Sequence, residues 1–155
     1  MLSKKLFKSI AAGAIVLGLG FSLAYAAADD QIKARQTWMK ERGKALGPMV
    51  AIMKGEAPYD AAVVMASLDA MNSAWEKVKG VDLFGPGSDK GETVETWATP
   101  EVWSDPEGFK AAGEALDKAV VDLAATTDEP GFKAAFSALG KACGGCHEKF
   151  RRPKG

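Results

Sequence analysis

The sequence predicts an all-α protein, an antiparallel four-helix bundle with a long crossover loop between helices 2 and 3. Three observations predict it. Apolar residues recur at three- and four-residue steps in four segments, turn signals separate those segments, and none has the strict alternation of a half-buried strand. Two short connections and one long one let four amphipathic helices close around one core.

The chain opens on an export signal. Lys4, Lys5 and Lys8 form a basic stretch, and the apolar run from Ile10 to Leu23 is shorter than the roughly 20 residues a spanning helix needs. Ala24-Tyr25-Ala26 fits a cleavage site, with Ala26-Ala27-Ala28 as an alternative two residues on. The expected division is therefore a signal peptide over residues 1–26, with cleavage as late as 28, and one bundle domain over 27–155. No membrane span is expected after signal removal. The signal takes with it three of the 20 basic residues and none of the 20 acidic ones, leaving a net charge of about −3, which argues against nucleic acid as a partner.

The first helix is expected from about Asp30 to Met53, with Ile32, Met39, Leu46, Met49, Val50 and Met53 inward and a kink at Gly47-Pro48, because Pro48 lacks an N–H. Gly55-Glu56-Ala57-Pro58 punctuates the chain. Pro58 suits the first turn of a second helix that ends near Gly80 and buries Ala61, Val64, Met65, Leu68, Met71, Trp75 and Val78. From Val81 to Trp103 the turn signals dominate, and a loop of that length needs anchors, for which Phe84, Trp97 and Trp103 are the candidates. A third helix starts at Ser104-Asp105-Pro106-Glu107, where Ser104 and Glu107 have capping-box spacing, and runs to about Thr127 through Phe109, Ala112, Leu116, Val120 and Leu123. The fourth begins at Asp128-Glu129-Pro130 and carries Phe132, Phe136, Leu139, Cys143, Cys146 and Phe150 on its inner side.

The chemistry lies near the end of that helix. Cys143-Gly144-Gly145-Cys146-His147 matches C-x-x-C-H, the attachment pattern of c-type haem. Residues three and four apart share a helix face, so both sulfurs reach the vinyl groups of one macrocycle while His147 turns toward its iron. A structural zinc site needs four ligands, and the chain holds two cysteines and one histidine. A thioredoxin-like pair belongs at a strand–helix junction, and an inert disulfide does not explain the adjacent sole histidine. Export and haem attachment also require each other, since haem c is assembled outside the cytoplasmic membrane. The expected cofactor is one haem c held by two thioethers, and the expected location is the periplasm.

As the sole histidine, His147 leaves the opposite axial position to a methionine, another side chain or nothing. Methionine is the chemical favourite, because a thioether is soft and neutral and His/Met ligation suits electron transfer. With the only histidine committed to iron, no Ser–His or Cys–His pair remains, so the protein is not expected to be an enzyme.

Several segments, in this order and spacing, carry a resemblance. They are Arg35-Gln-Thr-Trp-Met39, Lys54-Gly-Glu-Ala-Pro-Tyr-Asp-Ala-Ala62, Glu101-Val-Trp-Ser-Asp-Pro106, and the haem motif followed by Glu148-Lys-Phe-Arg151. Nearly the whole mature chain resembles the class II c-type cytochromes, the cytochrome c prime family. The resemblance implies haem packed between the helices near one end, and a homodimer through the first two helices. It places Met39 at the distal haem-facing position, Arg35 near a haem propionate and Arg151 over the proximal histidine. Met39-Lys40 after Arg35, with the Lys54 to Ala62 segment downstream, resembles the low-spin members named cytochrome c-556. The expected function is thus electron transfer with an unidentified redox partner, through low-spin iron between His147 and Met39. The alternative is five-coordinate, high-spin iron that binds nitric oxide or carbon monoxide while Met39 only crowds the distal face.

Overall fold

The computed structural model describes residues 16–153, with side chains from residue 27. The expected export signal lies outside the described side chains, and its first 15 residues lie outside the described chain. Six helices follow in order: α1 (Val16–Ala45), α2 (Gly47–Met53), α3 (Ala61–Glu76), α4 (Glu101–Ser104), α5 (Pro106–Ala124) and α6 (Glu129–Phe150). α1 with its continuation α2, α3, α5 and α6 form the four-helix bundle; α1 packs on α3, α5 on α6, and α3 joins the two pairs through α5. Among the described residues no helix is long and apolar enough to cross a membrane.

The expected kink falls where proline dictates. Pro48 cannot donate to the carbonyl four residues back, yet Leu46 N–H still reaches the Arg42 carbonyl at 3.3 Å and Val50 N–H the Leu46 carbonyl at 2.9 Å. The chain therefore bends at Leu46 without losing helical direction. α2 then stops in a Schellman arrangement: Gly55, at φ 73°, donates to the Ile52 carbonyl and Glu56 to that of Ala51.

Three expected details are corrected. α3 starts at Ala61 and not at Pro58, because Asp60 supplies the cap, its carboxylate accepting from Ala62 N–H at 2.7 Å. Pro58 and Tyr59 form the approach, and the Tyr59 hydroxyl donates to the Thr126 carbonyl. On α3, Val64, Leu68 and Met71 are buried, but Ala61, Met65 and Trp75 are exposed, so the buried stripe is narrower than the sequence suggests. Ser104 does not cap α5: Asp105 does, accepting from Gly108 N–H at 3.0 Å, while Ser104 ends the short α4.

The main core gathers Met49, Ile52, Val64, Leu68, Met71, Ala119, Leu123, Phe132 and Leu139, with Cys143 packed against its edge. Complete burial of side chains such as Ile52, Leu123 and Phe132 stabilises the fold by about 1.5–3 kcal/mol each. A second cluster forms at the other end of α6, where Phe109 meets Phe84 and Phe150 edge-on at 4.9 and 5.2 Å. The Cys143 to His147 segment lies between these two packed regions.

The segment from Lys77 to Pro100 carries no helix, and its backbone is held by side chains of α1 and by the end of α6. Arg35 donates to the Leu83 carbonyl, to both the carbonyl and hydroxyl of Ser88, and to the Thr96 hydroxyl. Asp29 accepts from the N–H groups of Glu92 and Thr93, and Gln36 donates to the Glu95 carbonyl. At the far side Ala98 and Arg151 form an antiparallel bridge, Thr99 donates to the carbonyls of Lys149 and Phe150, and Arg152 N–H donates to Trp97. The loop thereby satisfies carbonyls that the last turn of α6 leaves without helical partners.

Candidate haem-attachment site

Asp128 starts the helix that carries the site, accepting from Gly131 N–H at 2.7 Å with Pro130 in the first turn. Phe132, Leu139 and Phe150 bury one face of α6 and fix its rotation. Cys143 and Cys146 are thereby both half-buried free thiols, and His147 is exposed at the start of the last turn. Its imidazole makes no hydrogen bond among the described residues.

Burial pushes the Cys143 thiol up, against the pull of Arg42; burial and then Cys143 do the same to Cys146. His147 keeps part of its ring exposed, and desolvation of the rest, then Arg151 and Arg42, move it down, in the direction of the neutral imidazole that ligates metals. Nothing lies within 4 Å of a Cβ built on Gly144 or Gly145, so open space borders the backbone between the cysteines. Two thiols one helical turn apart, a histidine with no hydrogen-bond partner among the described residues, and open space beside the intervening glycines fit haem c.

Met39, 39% exposed, is on α1. Its helical neighbours at four and three residues are Arg35 and Arg42, so the three share a face. Of these, Arg42 lies within electrostatic reach of Cys143 and Cys146.

The structure assigns Arg35 a task that the family resemblance did not suggest. The side chain is buried, and burial lowers its pKa to about 10, with Asp89 opposing; its terminal nitrogens are spent on the four loop acceptors at 2.5–3.0 Å. Phe84 and Trp103 lie against the guanidinium at 5.3 and 5.8 Å. Arg35 straps the crossover loop. Arg151 lies one turn past His147, where its guanidinium sits 5.8 Å from the Trp97 ring centre and acts on the imidazole.

Arg42 was not singled out from the sequence. The signal was available, since it continues the Arg35–Met39 face by three residues. Its guanidinium stacks over Trp38 at 4.8 Å, and Trp38 in turn meets Trp75 at 5.4 Å. The Trp38 indole N–H is buried without an acceptor among the described residues.

A family model described as Cytochrome C' matches residues 30–151. Cytochrome c' of Rubrivivax gelatinosus is 41% identical over 125 residues, covering 79% of this chain and 94% of that protein. Its crystal structure superposes with a TM-score of 0.70 at 37% identity, over 81% of this chain and 97% of that one. Cytochrome c-556 of Agrobacterium tumefaciens is 34% identical over 128 residues, 80% of this chain and 98% of that protein. A nitric oxide complex of a mutant cytochrome c prime from Alcaligenes xylosoxidans superposes with a TM-score of 0.69 at 32% identity, covering 82% and 97%. The chain belongs to the cytochrome c' family and carries a covalently attached haem c.

Proposed function

We propose that this is an exported, periplasmic and non-catalytic haem c protein that binds a small diatomic gas, nitric oxide foremost, on the haem face opposite His147. The observation that carries this reading is the likeness to a cytochrome c prime in complex with nitric oxide, over nearly all of that chain. Bound haem supplies a one-electron centre with an axial position. Cys143 and Cys146 would fix it to α6 and His147 would ligate its iron, while Met39 on α1 would crowd the opposite face and admit only narrow ligands.

Two observations favour a second reading, electron transfer. Met39 presents an exposed thioether on the α1 face it shares with Arg42, and a cytochrome c-556 relative matches over 80% of this chain. In that reading Met39 is the second axial ligand, and an unidentified redox partner exchanges electrons with the protein. A visible spectrum of the holoprotein separates the two. A high-spin spectrum that shifts on adding carbon monoxide supports gas binding. Low-spin bands with a methionine-to-iron charge-transfer feature, lost in Met39→Ala, would establish the electron carrier.

We also propose a homodimer through α1 and α3. A groove of about 600 Å³ runs between them, floored by Ala66, Ala70 and Ala74 and rimmed by Glu41, Lys44 and Lys77. Small residues let a second backbone approach, and charges of both signs on the rim suit an antiparallel copy. Sedimentation of the holoprotein at micromolar concentration tests this; a monomer would sink it.

A further inference from the structure

Met39 and His147 stand on helices that share no extensive interface. Among the described residues α1 packs on α2 and α3, and α6 on α4 and α5, so direct helix packing does not set the distance from one to the other. The crossover loop spans that gap, and it does so at Thr96. This residue is 4% exposed, and its hydroxyl oxygen accepts from Arg35 Nη2 at 2.5 Å and from Ala98 N–H at 3.1 Å. Its carbonyl accepts from Arg152 Nη2 at 2.8 Å. Arg35 lies one turn before Met39 on α1, and Arg152 follows the C-cap of the helix that carries His147. The neighbouring backbone repeats the arrangement. Gln36 of α1 donates to the Glu95 carbonyl at 2.7 Å, and Arg152 N–H donates to the Trp97 carbonyl at 2.7 Å. Thr99 then donates to the carbonyls of Lys149 and Phe150 in the last turn of α6.

Two guanidinium groups thus hold one buried threonine, one reaching from α1 and the other from the end of α6. Both bonds are charge-assisted, which makes them short and strong, and burial of Thr96 keeps water from replacing them. Valine at this position would leave the Arg35 nitrogen and the Ala98 N–H without their shared acceptor. A second route between the helices, the edge-on run from Phe84 through Phe109 to Phe150, passes through α5, and its ring contacts lack the directionality of a hydrogen bond. We infer that Thr96 is a positioning residue which, with Arg35 and Arg152, fixes the distance between the helix bearing Met39 and the helix bearing the haem. It thereby sets how far the distal haem face is open to a diatomic ligand. The inference rests on haem attachment to α6 and on Met39 facing the haem, and it holds whether or not Met39 ligates the iron.

The test is the rate of carbon monoxide binding to the ferrous holoprotein, measured by rapid mixing for wild type, Thr96→Ser, Thr96→Val, Arg152→Ala and the double variant Thr96→Val/Arg152→Ala. Each is first checked for covalent haem by peroxidase staining of a denaturing gel. Thr96→Val and Arg152→Ala are each expected to speed binding about three- to tenfold. Thr96→Ser, which keeps the acceptor, should bind at the wild-type rate. The double variant should be no faster than the faster single one, because a chain of bonds broken at one link is already open. Phe132→Leu, which loosens the main core, should lower the melting temperature and leave the rate unchanged. Equal rates in wild type, Thr96→Val and Arg152→Ala would overturn the assignment. So would effects that multiply in the double variant, a Thr96→Ser rate as fast as that of Thr96→Val, or an equal acceleration in Phe132→Leu. Should Thr96→Val fail to fold, Arg152→Ala decides the question, since Arg152 is exposed. A wild type that excludes carbon monoxide would defeat gas binding alone: uptake by Thr96→Val and Arg152→Ala would then still support the assignment, and uptake by neither would overturn it. A colourless wild-type band would defeat the haem reading and this inference with it.

Discussion

Arg35 and Ser88 are 53 residues apart in the chain, yet one guanidinium donates to both the carbonyl of Ser88 at 2.6 Å and its hydroxyl at 2.9 Å. The same side chain holds Leu83 and Thr96, so a single planar fork closes the crossover loop onto α1. Ser88 and Thr96 are buried, and removing the donor strands their oxygens away from water. Arg35→Leu is expected to destabilise the holoprotein by roughly 3 kcal/mol or more. Arg35→Lys should recover little, because a point charge on a flexible stem cannot serve four acceptors arranged for a fork. Thermal unfolding of the three proteins checks this, and full rescue by lysine would refute it.

What the sequence disclosed and what it concealed follow from the range of each interaction. The Cys143 to His147 motif was legible because its chemistry is local: two thiols and an imidazole within five residues define it. Asp128 was legible as a helix start for the same reason. Asp105 and Ser104 competed for one cap, and spacing alone favoured Ser104; the choice was made by α4, a four-residue helix that consumes Ser104. Trp75 was misplaced in the core because the 3.6-residue period locates a stripe without giving its width. Arg35 was recognised as important, but its partners lie in a loop without periodicity, so nothing local could reveal that they are Leu83, Ser88 and Thr96. Arg42 emerges only in the folded chain, where it stacks on Trp38 and comes within electrostatic reach of Cys143 and Cys146.

The Asp29 clamp gives stability a definite dependence on pH. The Thr93 hydroxyl and then, against burial, the N–H groups of Thr93, Glu92 and Val94 hold the Asp29 carboxyl below its ordinary value of 3.8. A carboxylate with a lowered folded-state pKa contributes stability that is fully present above the unfolded value and is lost as pH falls through the folded one. Asp29→Asn should therefore lower the melting temperature at pH 7, and the gap from wild type should shrink below about pH 4. A gap that stays constant down to pH 2.5 would show that the charge of Asp29 is not what holds the loop.

Two glycines are expected to respond in opposite directions to the same substitution. A Cβ on Gly91 would strike the Val94 carbonyl oxygen and the Asp29 carboxylate, and would approach the Ile32 Cδ1 atom to 2.9 Å. Gly91→Ala should cost about 1–3 kcal/mol, because backbone and a clamped carboxylate cannot both move aside. Gly113 lies inside α5 with nothing within 4 Å of its Cβ position. Gly113→Ala should add about 0.5–1 kcal/mol by removing backbone freedom from the unfolded chain. Paired denaturant titrations of the holoprotein measure both signs together.

Removal of the attachment chemistry should separate binding of haem from its retention. With Cys143→Ala the chain keeps one thioether through Cys146 and both the histidine and the surrounding helices, so haem should remain on the protein through denaturing electrophoresis, with an altered absorption maximum. The double variant Cys143→Ala/Cys146→Ala removes both covalent links and leaves only ligation by His147 and the packing of the bundle. Its band should be colourless after denaturation. Cys143 packs at the edge of the core and is only half-buried, so loss of its sulfur should itself cost about 1 kcal/mol or less. A larger fall in melting temperature for the double variant therefore measures what bound haem contributes to holding α1 and α6 together, because a ligand that binds only the folded state stabilises it by mass action. If the double variant instead melts within a degree or two of wild type, the bundle is complete without its cofactor, and its helices owe their placement to the Arg35 strap and the two packed regions of the fold alone.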